Sequence, residues 1–183
     1  MKVKKIYTVV VMILLIGLYI AIFRFSAQDA EESSNLSRKV TEIILQVYYR
    51  LIGSTRGGAG DSGAVEIWDY ALENVIRKTA HFTEYMCMGF LSYSVVVLWY
   101  KPLWKGRILV FLQLLISAGL DELHQYFVPG RWASIKDVVI DTAGGAVGIL
   151  LMIIFDKIRK KSKKKVKRNT MGKMERAQSN WSG

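Results

Sequence analysis

Between Asp121 and Asp141 the chain reads DELHQYFVPGRWASIKDVVID. This stretch holds Asp121, Glu122, His124, Gln125, Arg131, Asp137 and Asp141, all able to carry charge, bind an ion or hydrogen-bond. A second set, Arg77, Lys78, His81 and Glu84, opens an earlier apolar run. Arginine and lysine suit phosphate or carboxylate groups, arginine through paired parallel hydrogen bonds. His81-x-x-Glu84 and Asp121-x-x-His124 each put an imidazole and an acid on one helix face. Such pairs can ligate metal from facing helices or share acid–base work. Carboxylates held close together also favour each other's protonated form, which suits proton transfer. The catalytic candidates are therefore His81, Glu84, Asp121, Glu122, His124 and Asp137. GxSxG, HExxH and P-loop patterns are all absent from the sequence, so the familiar hydrolase and nucleotide routes lack support. No metal-ligand set and no cofactor is assigned.

These groups must be positioned by membrane helices. About half of the 183 residues are apolar and the mean hydropathy is positive, which at this length points to a bilayer rather than a soluble core. Ile6 to Phe25 is long enough to span, with Lys2, Lys4 and Lys5 before it. We read it as a retained anchor, a cleaved signal peptide cut near Ala27 being the alternative. Further spans are expected over 79–100, 108–127 and 135–155. The net charge of +11 gathers in KIRKKSKKKVKR, after Asp156. Basic residues at span ends mark the cytoplasmic side, so both termini are placed there, with nucleic-acid binding excluded as a role of the tail. The outer segment 26–78 begins polar and acidic. Leu36, Val40, Ile43, Ile44, Val47, Tyr48 and Leu51 then recur at helical spacing, an amphipathic helix lying on the interface or packed on the bundle. Gly53 to Ala64 reads as a loop, and Val65 to Ile76 as a helix running into the second span. Val128-Pro129-Gly130-Arg131 is a tight turn with glycine at the positive-φ position. Trp68, Trp99, Trp104 and Trp132 fall near span ends, as interfacial aromatics do. Cys87, the sole cysteine, reads as a small packing residue. The class is an all-α integral membrane protein of four spans plus an extracytoplasmic amphipathic helix. One membrane domain covers 1–155 and a basic cytoplasmic tail 156–183.

Depth follows from the helical rise of about 1.5 Å per residue. Counted from the outer span ends, Glu84, Asp121 and Asp141 all fall roughly 9 Å deep. His81, His124 and Asp137 form a shallower layer, and Arg77, Lys78 and Arg131 the rim. Ionisable groups at such depth are expensive unless paired or hydrated, which makes them a functional-site expectation. Gly144 and Gly148, in line with Asp137 and Asp141, form a GxxxG pair that lets a neighbouring helix approach.

Three pieces of the chain resemble the VanZ-like family of bacterial membrane proteins: FSAQ (Phe25 to Gln28), RKTAHFTEY (Arg77 to Tyr85), and DELHQYFVPGRWASIKDVVID followed by GGAVG. The resemblance implies a bacterial plasma-membrane protein and, from the founding member, low-level resistance to the lipoglycopeptide teicoplanin. Two departures stand out. The usual FSSQ reads FSAQ, and Asp141 stands where asparagine is more common.

Four readings remain open at this level. The site, comprising Arg77, Lys78, His81, Glu84, Asp121, Glu122, His124, Gln125, Arg131, Asp137 and Asp141, binds an anionic or lipid-linked envelope precursor or a lipoglycopeptide. Alternatively it is a membrane-embedded His/carboxylate enzyme, or a polar network that only fixes helix register. In a transport reading Gln113 and Ser117 extend a path inward; interhelical hydrogen bonding is the simpler account of both. The oligomeric state is not legible.

Overall fold

The computed structural model describes residues 1–52 and 62–179. Its elements are α1 (Lys2–Ser26), α2 (Ala30–Ile52), α3 (Ser62–Trp99), α4 (Leu103–Tyr126) and α5 (Ile135–Ser179), with no strand among the described residues. Within these, Lys2–Ser26, Ala71–Trp99, Leu103–Tyr126 and Ile135–Gly172 are long and apolar enough to cross a membrane. The protein is an all-α membrane protein with four such helices. Most of the expected loop, 53–61, lies outside the described residues, but Ser62–Ala64 already belong to α3. A lone glycine there interrupts neither the backbone bonds nor the helical pattern that follows.

Helix α3 is the hub, packing most extensively on α5 and also touching α1, α2 and α4. The α3–α5 contact is made by glycine. A Cβ at Gly144 would stand 2.3 Å from the Phe82 carbonyl oxygen, one at Gly148 2.0 Å from that of Met86, and one at Gly89 2.2 Å from that of Gly145. Lipid tails are as apolar as leucine, so membrane helices gain little by mere burial and associate through close backbone packing. The GxxxG pair does this, joined by Gly89 from the other side. Tyr85, Met88, Tyr93, Leu114 and Ala118 fill the interior. Leucines and isoleucines such as Ile13, Ile116 and Leu120 face outward, an apolar girdle that needs lipid around it. Cys87 also faces outward rather than packing inside. Its helix neighbours Tyr85 and Met88 turn inward and take the core positions.

Polar side chains tie the spans together. Gln113 Nε2 donates to the hydroxyls of Tyr19 (3.0 Å) and Ser92 (3.3 Å), and Tyr19 and Ser117 share a 2.9 Å bond. Gln113 and Ser117 are thus engaged between helices α1, α3 and α4. At the opposite end from the polar cluster Trp99 Nε1 donates to Thr8 Oγ1. Trp99, Trp104 and Trp132 are exposed near span ends; the Trp68 side chain lies outside the described residues.

The amphipathic α2 uses two faces. Its apolar stripe from Leu36 to Leu51 is exposed. Ser33, Ser37 and Thr41, spaced by four, are the buried face, and the helix packs on α3. Ser37 and Thr41 return their hydroxyl protons to carbonyls four residues back, so these side chains are buried without an unmet donor.

Candidate functional site

The middle of α3, the end of α4, the turn after it and the start of α5 meet at one end of the bundle, beside the end of α1. The turn forms as the sequence dictates: Gly130 has φ 74°, and the Arg131 N–H donates to the Val128 carbonyl at 3.2 Å. It swings Arg131 back over α1. There a single guanidinium nitrogen, Nη1, donates to the carbonyls of Phe25 (3.3 Å), Ser26 (3.1 Å) and Gln28 (3.4 Å). These carbonyls lie at and just past the end of α1, where helix carbonyls lose their regular partners, although that of Phe25 also accepts the Gln28 N–H; a cation there also suits the negative end of the helix dipole. Burial and the neighbouring Arg77 charge pull Arg131 below the usual guanidinium range, while Asp121, Glu122 and Asp137 oppose them.

Below the turn several of the groups are paired. Lys78 Nζ and Asp137 Oδ1 stand 2.6 Å apart, joining α3 to α5. Glu122 Oε2 accepts the Ser134 backbone N–H at 2.8 Å, fixing the entry to α5. Asp121 Oδ2 accepts from Gln125 Nε2 at 3.0 Å, and the same nitrogen reaches Ser26 Oγ at 3.4 Å. His81 Nδ1 faces Glu84 Oε2 at 3.5 Å. One ligand atom each from His81, Asp121 and Asp141 lies within 4.8 Å of the other two. A polar pocket above them, about 30 Å³, is lined by Arg77, Lys78, His81, Glu122, Gln125, Arg131, Asp137, Ile140 and Asp141. Space on that scale takes an ion or a couple of waters.

The structure thus brings together Arg77, Lys78, His81, Glu122, Gln125, Arg131, Asp137 and Asp141 around one pocket, with Asp121 beneath and Glu84 beside His81. His124 is the exception. Although three residues from Asp121, its ring stacks on Phe23 of α1 at 4.6 Å between centroids, so the Asp121–His124 pair is not assembled. Aromatic stacking on α1 competes for the imidazole and holds it there.

Sequence reasoning missed Ser26. It is fully buried, its hydroxyl meets Gln125 and its carbonyl meets Arg131. The signal was its place in FSAQ, directly after an apolar span. Ala27, which lacks the usual hydroxyl, is exposed, so that departure leaves the link between α1 and the site intact.

A sequence profile of the VanZ/LLP1 family matches residues 11–156. The chain belongs to the VanZ/LLP1 family. The match includes every residue of the site and ends as the apolar part of α5 gives way to lysines. No curated protein and no solved structure matches the chain.

A second, larger cavity adjoins the polar pocket in this VanZ/LLP1 protein. It is a groove of about 150 Å³ between the end of α1, α2 and α3. Phe25, Leu36, Val40, Ile76 and Ala80 supply its apolar lining, and Arg77, His81 and Glu84 its polar edge. Arg77 and His81 line both cavities.

Proposed function

We propose that this VanZ/LLP1 protein sits in the bacterial cell membrane with both termini in the cytoplasm. There it binds an anionic, lipid-linked envelope ligand from the outer face. The observation that carries the reading is that an ion-lined pocket and an apolar groove share Arg77 and His81. An amphiphile matches that arrangement: a phosphate or carboxylate at Arg77 and Lys78, an acyl or prenyl chain in the groove. Among the described residues Arg77 makes one side-chain hydrogen bond, to Asn74 Oδ1 at 3.1 Å. A guanidinium has five N–H donors, so most of its donors are available to a ligand. A chain arriving from the bilayer gains little hydrophobic energy by entering the groove. Affinity comes from the head, at about 1.5–3 kcal/mol for each hydrogen bond to a charged group, while the groove selects what the head is attached to. A lipid-linked wall precursor and a teicoplanin-type lipoglycopeptide both carry this combination, and altered susceptibility to such antibiotics is the cellular effect expected.

The test uses full-length protein in nanodiscs and a polyprenyl phosphate as probe. Arg77→Ala should weaken binding roughly 10- to 100-fold, the equivalent of one charge-assisted bond. Ala80→Trp, which fills the groove, should weaken the prenylated probe and spare a short-chain phosphate. Wild-type affinity in both variants would defeat the reading.

A further inference from the structure

We infer that His81, Asp121 and Asp141 form a binding site for one divalent transition-metal ion, of the Mn²⁺ or Zn²⁺ kind, at the floor of the polar pocket. This goes beyond the amphiphile reading and stands without it, since the ion would bind with no lipid present.

Two independent observations point to an ion. The first is the convergence of one imidazole and two carboxylates, contributed by α3, α4 and α5, with ligand atoms inside 4.8 Å. Mixed imidazole and carboxylate ligands with open positions are the donor set of first-row transition ions, whereas Mg²⁺ and Ca²⁺ favour oxygen alone. The second is Asp141 itself. It is 2% exposed and lines the pocket, yet among the described residues it accepts no hydrogen bond and makes no ion pair. A carboxylate buried without a partner is costly, and two of the nearby cations are engaged elsewhere. Lys78 holds Asp137 and Arg131 holds the carbonyls of α1.

Charge tells the same story. Glu84, Asp121, Glu122, Asp137 and Asp141 are five carboxylates facing three fixed cations, Arg77, Lys78 and Arg131. With His81 neutral, as a ligand must be, full ionisation of the acids would leave two negative charges in excess, which one divalent ion would balance.

The surrounding groups act as supports for such ligands. Gln125 fixes one oxygen of Asp121 and leaves the other for the ion. Glu84 Oε2 stands 3.5 Å from His81 Nδ1, and neither buried atom has a hydrogen-bond partner among the described residues. Ligand distances of about 2.1 Å are within reach of this arrangement by shifts of the three side chains of well under ~1 Å. The pocket above leaves room for one or two waters to complete the coordination.

The experiment is titration of chelator-stripped, full-length protein with Mn²⁺, read by electron paramagnetic resonance, and with Zn²⁺, read by calorimetry and by melting temperature. One ion per chain should bind and raise the melting temperature. Asp141→Asn and His81→Gln, which keep size and polarity, should each weaken binding at least tenfold and abolish the thermal shift. Asp156→Asn, whose side chain pairs with Lys160 far from the site, should bind as wild type. Gln125→Ala should weaken binding by about 10- to 100-fold, as lost support of a ligand does. Absence of stoichiometric binding by the wild type overturns the assignment. Binding left intact in both Asp141→Asn and His81→Gln overturns it equally.

Discussion

Gly148→Ala lowers the stability of the helix bundle by about 3 kcal/mol, the upper end of what overpacking costs, while Gly119→Ala leaves it unchanged or slightly raised. The contrast rests on what the new methyl group meets. At Gly148 it would lie 2.0 Å from the Met86 carbonyl oxygen and 2.8 Å from the Phe90 nitrogen. Both atoms are backbone and cannot rotate aside, so α3 and α5 must separate. That separation would also loosen Gly144 on Phe82 and Gly89 on Gly145, and it would shift Asp137 and Asp141 relative to His81. At Gly119 nothing lies within 4 Å, and alanine is the better helix former by up to about 1 kcal/mol. Unfolding of both variants in the same detergent, followed by circular dichroism, checks the pair. Equal midpoints would mean that the α3–α5 contact is looser than these distances require.

Arg131→Ala costs a similar amount, about 3 kcal/mol, and acts on α1 before it acts on any ligand. The change removes the Nη1 donor shared by three carbonyls at the end of α1, and hydrogen bonds to a charged group contribute about 1.5–3 kcal/mol each. It also removes a cation from a cluster richer in acids. Arg131→Lys keeps the charge but not the planar fork, so it should recover only part of the loss. Amide hydrogen exchange provides the reading: protection at residues 23–28 should fall in Arg131→Ala and partly return in Arg131→Lys. Unaltered protection in both would leave Arg131 without its structural task. Because this arginine anchors α1, a ligand-binding defect in Arg131→Ala is not specific, and Arg77 is the better reporter.

The four spans were legible because the bilayer imposes them. A helix that spans needs length, apolarity and few charges, and these survive in one dimension. The turn at Pro129 and Gly130 was legible for a similar reason, since its conformation is set by the two residues themselves. The fixed helical rise pointed to a meeting of acids from several helices, though it is His81 rather than Glu84 that joins Asp121 and Asp141. What the sequence withheld was rotation and partner choice. His124 and Gln125 follow Asp121 by three and four residues, and spacing alone cannot say which of them faces α3 or α1. Here Phe23 takes the histidine and Gln125 supports the acid. Arg131 likewise could have served a ligand or a helix end, and only the position of α1 decides. On α2 the apolar stripe drew attention, while the contact face turned out to be Ser33, Ser37 and Thr41. Hydroxyls that bond their own helix behave as packing residues, which composition does not announce.

Helix α5 continues without a break through the lysine-rich segment to Ser179. A limp chain of that composition would lie down on an acidic membrane surface and place all its ammonium groups among the headgroups. A rod cannot. Successive lysines point around the whole circumference and climb by about 1.5 Å each, so those beyond roughly the second turn stand farther from the surface than the Debye length of about 8 Å. On an α5 that leaves the bilayer upright, electrostatic tethering would fall to the few basic residues nearest Asp156, with the distal ones facing the aqueous phase.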